Sequence, residues 1–276
     1  MQDEQAIREA ARLNSKMIYE VIRRDGEEEL TRPTPSLVWS GIAAGIGSSF
    51  SVRAEAVLRT YLPDTPWRFL VENLGYSLGF LLVIMGRMQL FTENTITTVL
   101  PLVDQRSIGC LKLVVRLWGI VLAANIVGAG VAAGFLAFSG VLDPGLYDAV
   151  TGLSHHATGF PAGEAFARAI PAGILVASIV WMMPGQRGNE MLLIVLFTWL
   201  IAAGDFTHII AGSVEMWFLA FTGGLGARDA ILQFFLPVLL GNIIGGTAVF
   251  TLLAWGQVKA EVEDGTDRGT ESADLR

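Results

Sequence analysis

Six stretches of this chain are apolar for long enough to cross a hydrocarbon core, which takes about 20 residues. They run roughly over 36–58, 71–103, 112–139, 162–183, 190–221 and 229–256. Backbone groups in lipid must be satisfied within the segment itself, so such stretches predict helices and an all-α polytopic membrane protein. Composition agrees. With 52% hydrophobic residues, 16% charged residues and a mean hydropathy of +0.52, the chain is too apolar for a soluble domain.

The flanks are different. Residues 1–35 are highly charged and hold no apolar signal-peptide core. Ile7, Ala10, Met17 and Val21 recur there at helical spacing, predicting an amphipathic helix on the membrane or against the bundle. Residues 257–276 are acidic and read as a disordered tail. That tail supplies much of the net charge of −7, which therefore points to no nucleic-acid partner. Cys110 is the only cysteine and reads as a small hydrophobe. Lys and Arg gather in the N-terminal segment and in the second-to-third and fourth-to-fifth links, while 140–165 has none, which predicts both termini in the cytoplasm. Arg53, Arg59 and Arg68 on the first external link run against that rule.

An internal repeat is visible. "AANIVGA" (Ala123–Ala129) matches "LGNIIGG" (Leu240–Gly246), and "LFTEN" (Leu90–Asn94) shares Phe-Thr with "DFTHI" (Asp205–Ile209), at offsets of 117 and 115 residues. Halves of three spans each, about 36–139 and 162–256, are inverted relative to one another, an architecture of channels and transporters. Gly41/Gly45 and Gly241/Gly245 place small residues on one helix face for close packing, and Asn125 and Asn242 read as interhelical hydrogen-bonding residues.

The second and fifth spans are over-long and carry polar interruptions, "TENT" (Thr92–Thr95) and "GDFTH" (Gly204–His208). Matched breaks in repeat-related helices point to a site at the membrane midplane. Thr92, Asn94 and Thr207 are candidate N-caps for helices that resume there, whose positive ends suit a small anion. His208 titrates near neutrality and suits proton relay or hydrogen bonding to an anion. Asp205 reads either as a partner of His208 or as a helix terminator. Arg87 reads as snorkelling or paired with Glu93, Glu72 and Glu215 as lying near span ends, and His155 and His156 as solvated in the external link. No His-Glu-x-x-His or Gly-x-Ser-x-Gly motif occurs, so neither an enzyme nor a metal or other cofactor is expected.

"LFTENT", "FARAIPAGILVASIVWM" (Phe166–Met182), "DFTHIIAG" and "LPVLLGNIIGGT" (Leu236–Thr247), in this order and spacing, resemble the formate/nitrite transporter family. The resemblance implies an aquaporin-like fold of six transmembrane helices with broken second and fifth helices, assembled as a homopentamer in the inner membrane. It implies passage of small monovalent anions or their acids, such as formate, nitrite, acetate, lactate or hydrosulfide. By position, His208 matches the family's pore histidine and Thr92 the threonine facing it. Leu90, Phe91, Phe80 and Val176 match constriction positions, with Asp205, Glu93, Thr207 and Asn94 around them. The chain departs from the pattern at Gln89, Thr207, Gly212 and Gly173, which marks a divergent branch. A neutral water or polyol pore and a non-conducting scaffold or sensor are the alternatives. No Asn-Pro-Ala signature supports the former.

Overall fold

The computed structural model describes residues 13–186 and 188–271, with side chains as far as 261. Among the described residues the chain is helical and has no strand. Helix α1 (Ser15–Thr31) starts at Asn14, whose side chain accepts the Met17 N–H. It buries Tyr19, Ile22, Gly26 and Leu30, whereas Met17 and Val21 are exposed. The buried stripe is thus not the one the sequence suggests; Ile7 and Ala10 lie outside the described residues. The docking partner selects the face: Tyr19 and Ile22 pack with Ile96, Leu100 and Val258.

The following helices are α2 (Thr34–Tyr61), α3 (Arg68–Met85), α4 (Phe91–Thr97), α5 (Val99–Gln105) and α6 (Ile108–Phe138). After them come α7 (Pro144–Thr158), α8 (Ala162–Gly185), α9 (Glu190–Ala203), α10 (Ile209–Thr222) and α11 (Ala227–Glu261). By length and composition α3, α6, α8 and α11 are apolar enough to cross a membrane. Helix α2 has 28 residues, long enough to cross, yet carries Arg53, Glu55 and Arg59. The shorter α9 and α10 are apolar and follow one another across the break at Gly204–His208. Between α3 and α4 the chain is interrupted likewise, but at residues 86–90: the expected interruption at Thr92–Thr95 is instead the first turns of α4, because Leu90, not Thr92, starts that helix.

Beyond Gln257 the chain stays helical instead of losing structure, because it leans on α1. Gln257 Nε2 donates to Ser15 Oγ at 3.1 Å, and Lys16 Nζ donates to the Glu261 carbonyl at 2.7 Å. Residues 272–276 lie outside the described residues.

The two halves pack alike. α2 lies along α6, and α8 lies along α11. A Cβ on Gly45 would stand 2.2 Å from the Asn125 carbonyl oxygen, and one on Gly245 would stand 2.1 Å from that of Ile170. Only glycine permits these backbone approaches. They bring the helices close enough for Asn125 and Asn242 to reach the breaks.

Candidate functional site

Helices α3 and α9 end in the same way. Gly86 donates its N–H to Leu82, Arg87 to Ile84 and Met88 to Val83; Gly204 donates to Leu200, Asp205 to Ala202 and Phe206 to Ile201. Arg87 (φ 49°) and Asp205 (φ 53°) are left-handed, which turns the chain out of each helix. Extended residues Leu90 and His208 then start α4 and α10. Asn125 Oδ1 accepts the Phe91 N–H at 2.9 Å, and Asn242 Oδ1 accepts the Ile209 N–H at 2.8 Å. Leu90 is therefore the counterpart of His208, at an offset of 118 residues. The shared Phe-Thr pair is out of register: Phe91 corresponds to Ile209, not to Phe206.

This geometry brings His208 and Thr92 together. His208 Nε2 lies 2.8 Å from Thr92 Oγ1, with the histidine 2% exposed and the threonine fully buried. His208, not Thr207, caps α10: its Nδ1 accepts the Ala211 N–H at 3.3 Å. Thr207 Oγ1 instead donates to the Ala165 carbonyl. α4 has no side-chain cap, because Leu90 holds that position and Thr92 and Asn94 lie inside the helix.

Among the constriction candidates, the Phe80 ring meets the His208 ring edge-on with centroids 5.0 Å apart. Leu90 and Val176 are fully buried. Phe91 packs edge-on against Trp118 of α6. Asn94 Nδ2 donates to Gln89 Oε1 at 3.2 Å, and the Glu93 carbonyl accepts the Thr97 hydroxyl at 3.1 Å. Arg87 is exposed and makes no ion pair with Glu93 among the described residues.

Asp205 does not reach His208. Its Oδ1 sits 2.8 Å from Nε2 of His156, at the end of α7. His155 and His156 are both exposed, as expected of the external link, which is the helix α7; His156 also borders the site. A cavity of about 230 Å³ is lined by α7 at His156 and by the second break at Asp205 and His208. Its wall also includes Glu55, Arg59, Glu72, Tyr76, Glu215 and Phe234. Glu215 lies in the middle of α10, 7% exposed, not near a span end. Glu55 was legible as a charge inside an apolar span, the signal that exposed His208. Glu72 lies 3.8 Å from Arg59 and 3.4 Å from Arg68, so these two arginines are compensated locally.

The departures from the family pattern have local partners. Gln89 Nε2 donates to Glu29 Oε2 at 2.7 Å, tying α1 to the first break. A Cβ on Gly212 would stand 2.4 Å from the Phe234 ring, which fills the space a larger residue would need. One on Gly173 would stand 2.4 Å from the Asn242 carbonyl. Among the described residues, no three His, Cys, Asp or Glu side chains gather as a metal site.

A family profile described as formate/nitrite transporter matches residues 16–256. The chain is 43% identical to the inner membrane protein YfdC of Escherichia coli (strain K12) over 247 residues, 90% of this chain and 80% of that protein. It is 26% identical to the formate channel FocA of Haemophilus influenzae (strain ATCC 51907 / DSM 11121 / KW20 / Rd) over 233 residues, 75% of this chain and 81% of that one. Among solved structures, a pentameric formate channel with formate bound is similar with a TM-score of 0.71 and 26% identity, covering 82% of this chain and 98% of that one.

Proposed function

The chain belongs to the formate/nitrite transporter family, and on that premise we propose that it is a membrane pore, not an enzyme, for small monovalent anions or their weak acids. Formate, nitrite and acetate are the substrates to try first. The observation that carries the reading is the buried His208–Thr92 pair, formed where the two broken helices meet.

The pair has a defined polarity. Because Nδ1 of His208 accepts the Ala211 N–H, the proton of the neutral ring is on Nε2 and is donated to Thr92 Oγ1. The hydroxyl hydrogen of Thr92 is then free to meet a substrate oxygen. Phe80, Leu90 and Val176 offer no polar group, so an ion here must shed its water. A lone anion is costly in such surroundings, and so is a lone imidazolium; together, or as a neutral acid beside neutral imidazole, they are not. Passage through the His208–Thr92 pair is therefore coupled to a proton, carried either by the ring or by the substrate as its acid.

Residues 36–256 form the pore domain, with α1 against its cytoplasmic side. The chain assembles as a homopentamer like the channel it resembles, and resides in the inner membrane as a multi-pass protein. Both termini are cytoplasmic: Arg106, Lys112 and Arg116 lie on that side.

The test is uptake into liposomes that contain a pH-sensitive dye. Formate, nitrite or acetate is added outside wild-type and His208→Ala proteoliposomes and empty vesicles. Acidification by at least one anion, reduced in the variant, supports the reading. No flux above empty vesicles, with the folded oligomer verified, overturns it.

A further inference from the structure

The outer cavity has an odd lining for an anion entrance. Glu55 is 9% exposed, Glu72 4% and Glu215 7%, and all three border it. Glu72 faces Arg59 and Arg68, although its Oε2 has no hydrogen-bond partner. Glu55 and Glu215 make no hydrogen bond or ion pair among the described residues. Both line the same chamber, Glu55 from α2 and Glu215 from α10.

Charged and titratable groups reach the chamber from several helices around Glu215: α2 presents Glu55 and Arg59, α3 presents Glu72 and Tyr76, and α7 presents His156, which is held by Asp205 of the break. His208, seven residues before Glu215, lines the same chamber. Among the described residues lining the cavity, α11 contributes Phe234 and α6 none. Among the described residues no cation pairs with Glu215.

A carboxylate that lines this largely apolar chamber with no cation or hydrogen-bond donor beside it among the described residues bears its charge at a cost, whereas a protonated one can donate to a guest. We propose that Glu215 is the proton donor of this chamber: it protonates the incoming anion before the anion reaches His208, and Glu55 reloads it. The O–H bond of the Glu215 carboxyl breaks as the O–H bond of the substrate acid forms. The acid moves on to His208 and Thr92, leaving Glu215 ionised. A proton from outside then passes through Glu55 to Glu215, so one anion and one proton enter per cycle. This rests on the transport reading above and assigns its proton source.

The test compares wild type with Glu215→Gln and Glu55→Gln in dye-loaded liposomes, with formate outside over a range of external pH. At neutral pH both variants are expected to lose about a hundredfold of the uptake rate, the low end of what a placed proton donor supplies. In acid the bulk delivers formic acid ready-made, and the variants are expected to recover. Equal loss at every pH signals damaged structure and overturns the proposal, as do variants within about twofold of wild type throughout. A second measurement needs no transport: infrared spectra of the purified protein at neutral pH should show a protonated-carboxyl band that weakens in each variant. Its absence from wild type overturns the relay. Wild type without uptake at any pH overturns the transport reading, and the infrared band still decides whether the chamber holds a proton.

Discussion

Asn125 and Asn242 make the same three hydrogen bonds in the two halves of the molecule. Each Oδ1 accepts the first N–H of a resumed helix. Asn125 Nδ2 donates to the carbonyls of Gly41 and Gln89, both at 2.8 Å; Asn242 Nδ2 donates to those of Ala169 and Thr207, at 2.8 and 3.0 Å. A broken helix frees backbone groups that hydrocarbon cannot satisfy, and one amide per half answers two of them while tying them to a carbonyl of a continuous helix, Gly41 in α2 or Ala169 in α8. The site exists because each amide holds its break against a neighbouring long helix.

Replacing either amide by leucine keeps the bulk and strands two buried backbone groups of the break, one N–H and one carbonyl. At about 1–3 kcal/mol for each unsatisfied group, Asn125→Leu and Asn242→Leu should each lose about 2 kcal/mol or more. Thermal unfolding in detergent, followed by size exclusion, reads this out. A loss below about 1 kcal/mol in either variant would mean that the amide is not a clamp.

Much of this was legible beforehand. His208 stood out because an ionisable group in an apolar stretch is costly, and the matching Asn-Ile segments marked the two asparagines as repeat mates. The register of the breaks was not legible. The Phe-Thr coincidence suggested one alignment, whereas backbone geometry pairs Leu90 with His208. Asp205 was ambiguous because its partner, His156, sits on α7, and nothing in a polar link announces where that helix will dock. Glu215 was misplaced for a similar reason. Its depth depends on where α10 restarts, and that is set by Asn242 from another helix. The buried face of α1 was missed because its partners, Leu100 and Val258, are distant in sequence.

Thr92 should matter through its hydroxyl. Thr92→Val keeps the β-branched shape but removes the acceptor for His208 Nε2 and the donor for substrate; Thr92→Ser keeps both. Loss of one hydrogen bond in the buried pair, about 1–1.5 kcal/mol, corresponds to roughly a tenfold fall in uptake for the valine variant. The serine variant is expected within about threefold of wild type. Equal behaviour of the two in the liposome assay would count against the hydroxyl.

Gly212 and Phe234 should be coupled. Restoring asparagine at 212 drives its Cβ into the Phe234 ring, so Gly212→Asn alone is expected to cost about 1–3 kcal/mol. Phe234→Ala alone opens a cavity and costs about 3–5 kcal/mol. The double variant should be more stable than the sum of the single losses implies, because the asparagine occupies the vacated space. Unfolding midpoints of the four proteins measure the coupling, and strict additivity would show that Phe234 is not what excludes a side chain at 212.

The two left-handed residues at the breaks should respond differently to glycine. A left-handed non-glycine residue is strained by roughly 1–2 kcal/mol, partly offset by the greater freedom glycine gains when unfolded. Arg87 is exposed, so Arg87→Gly should stabilise the protein by about 0.5–1 kcal/mol. Asp205 has the same conformation, but aspartate tolerates it better, and its carboxylate holds His156 at 2.8 Å. Asp205→Gly therefore relieves less strain and releases α7 from the break, so it should bring no gain in unfolding temperature. A rise for Asp205→Gly equal to that for Arg87→Gly would mean that the Asp205–His156 contact contributes nothing to holding α7 over the cavity.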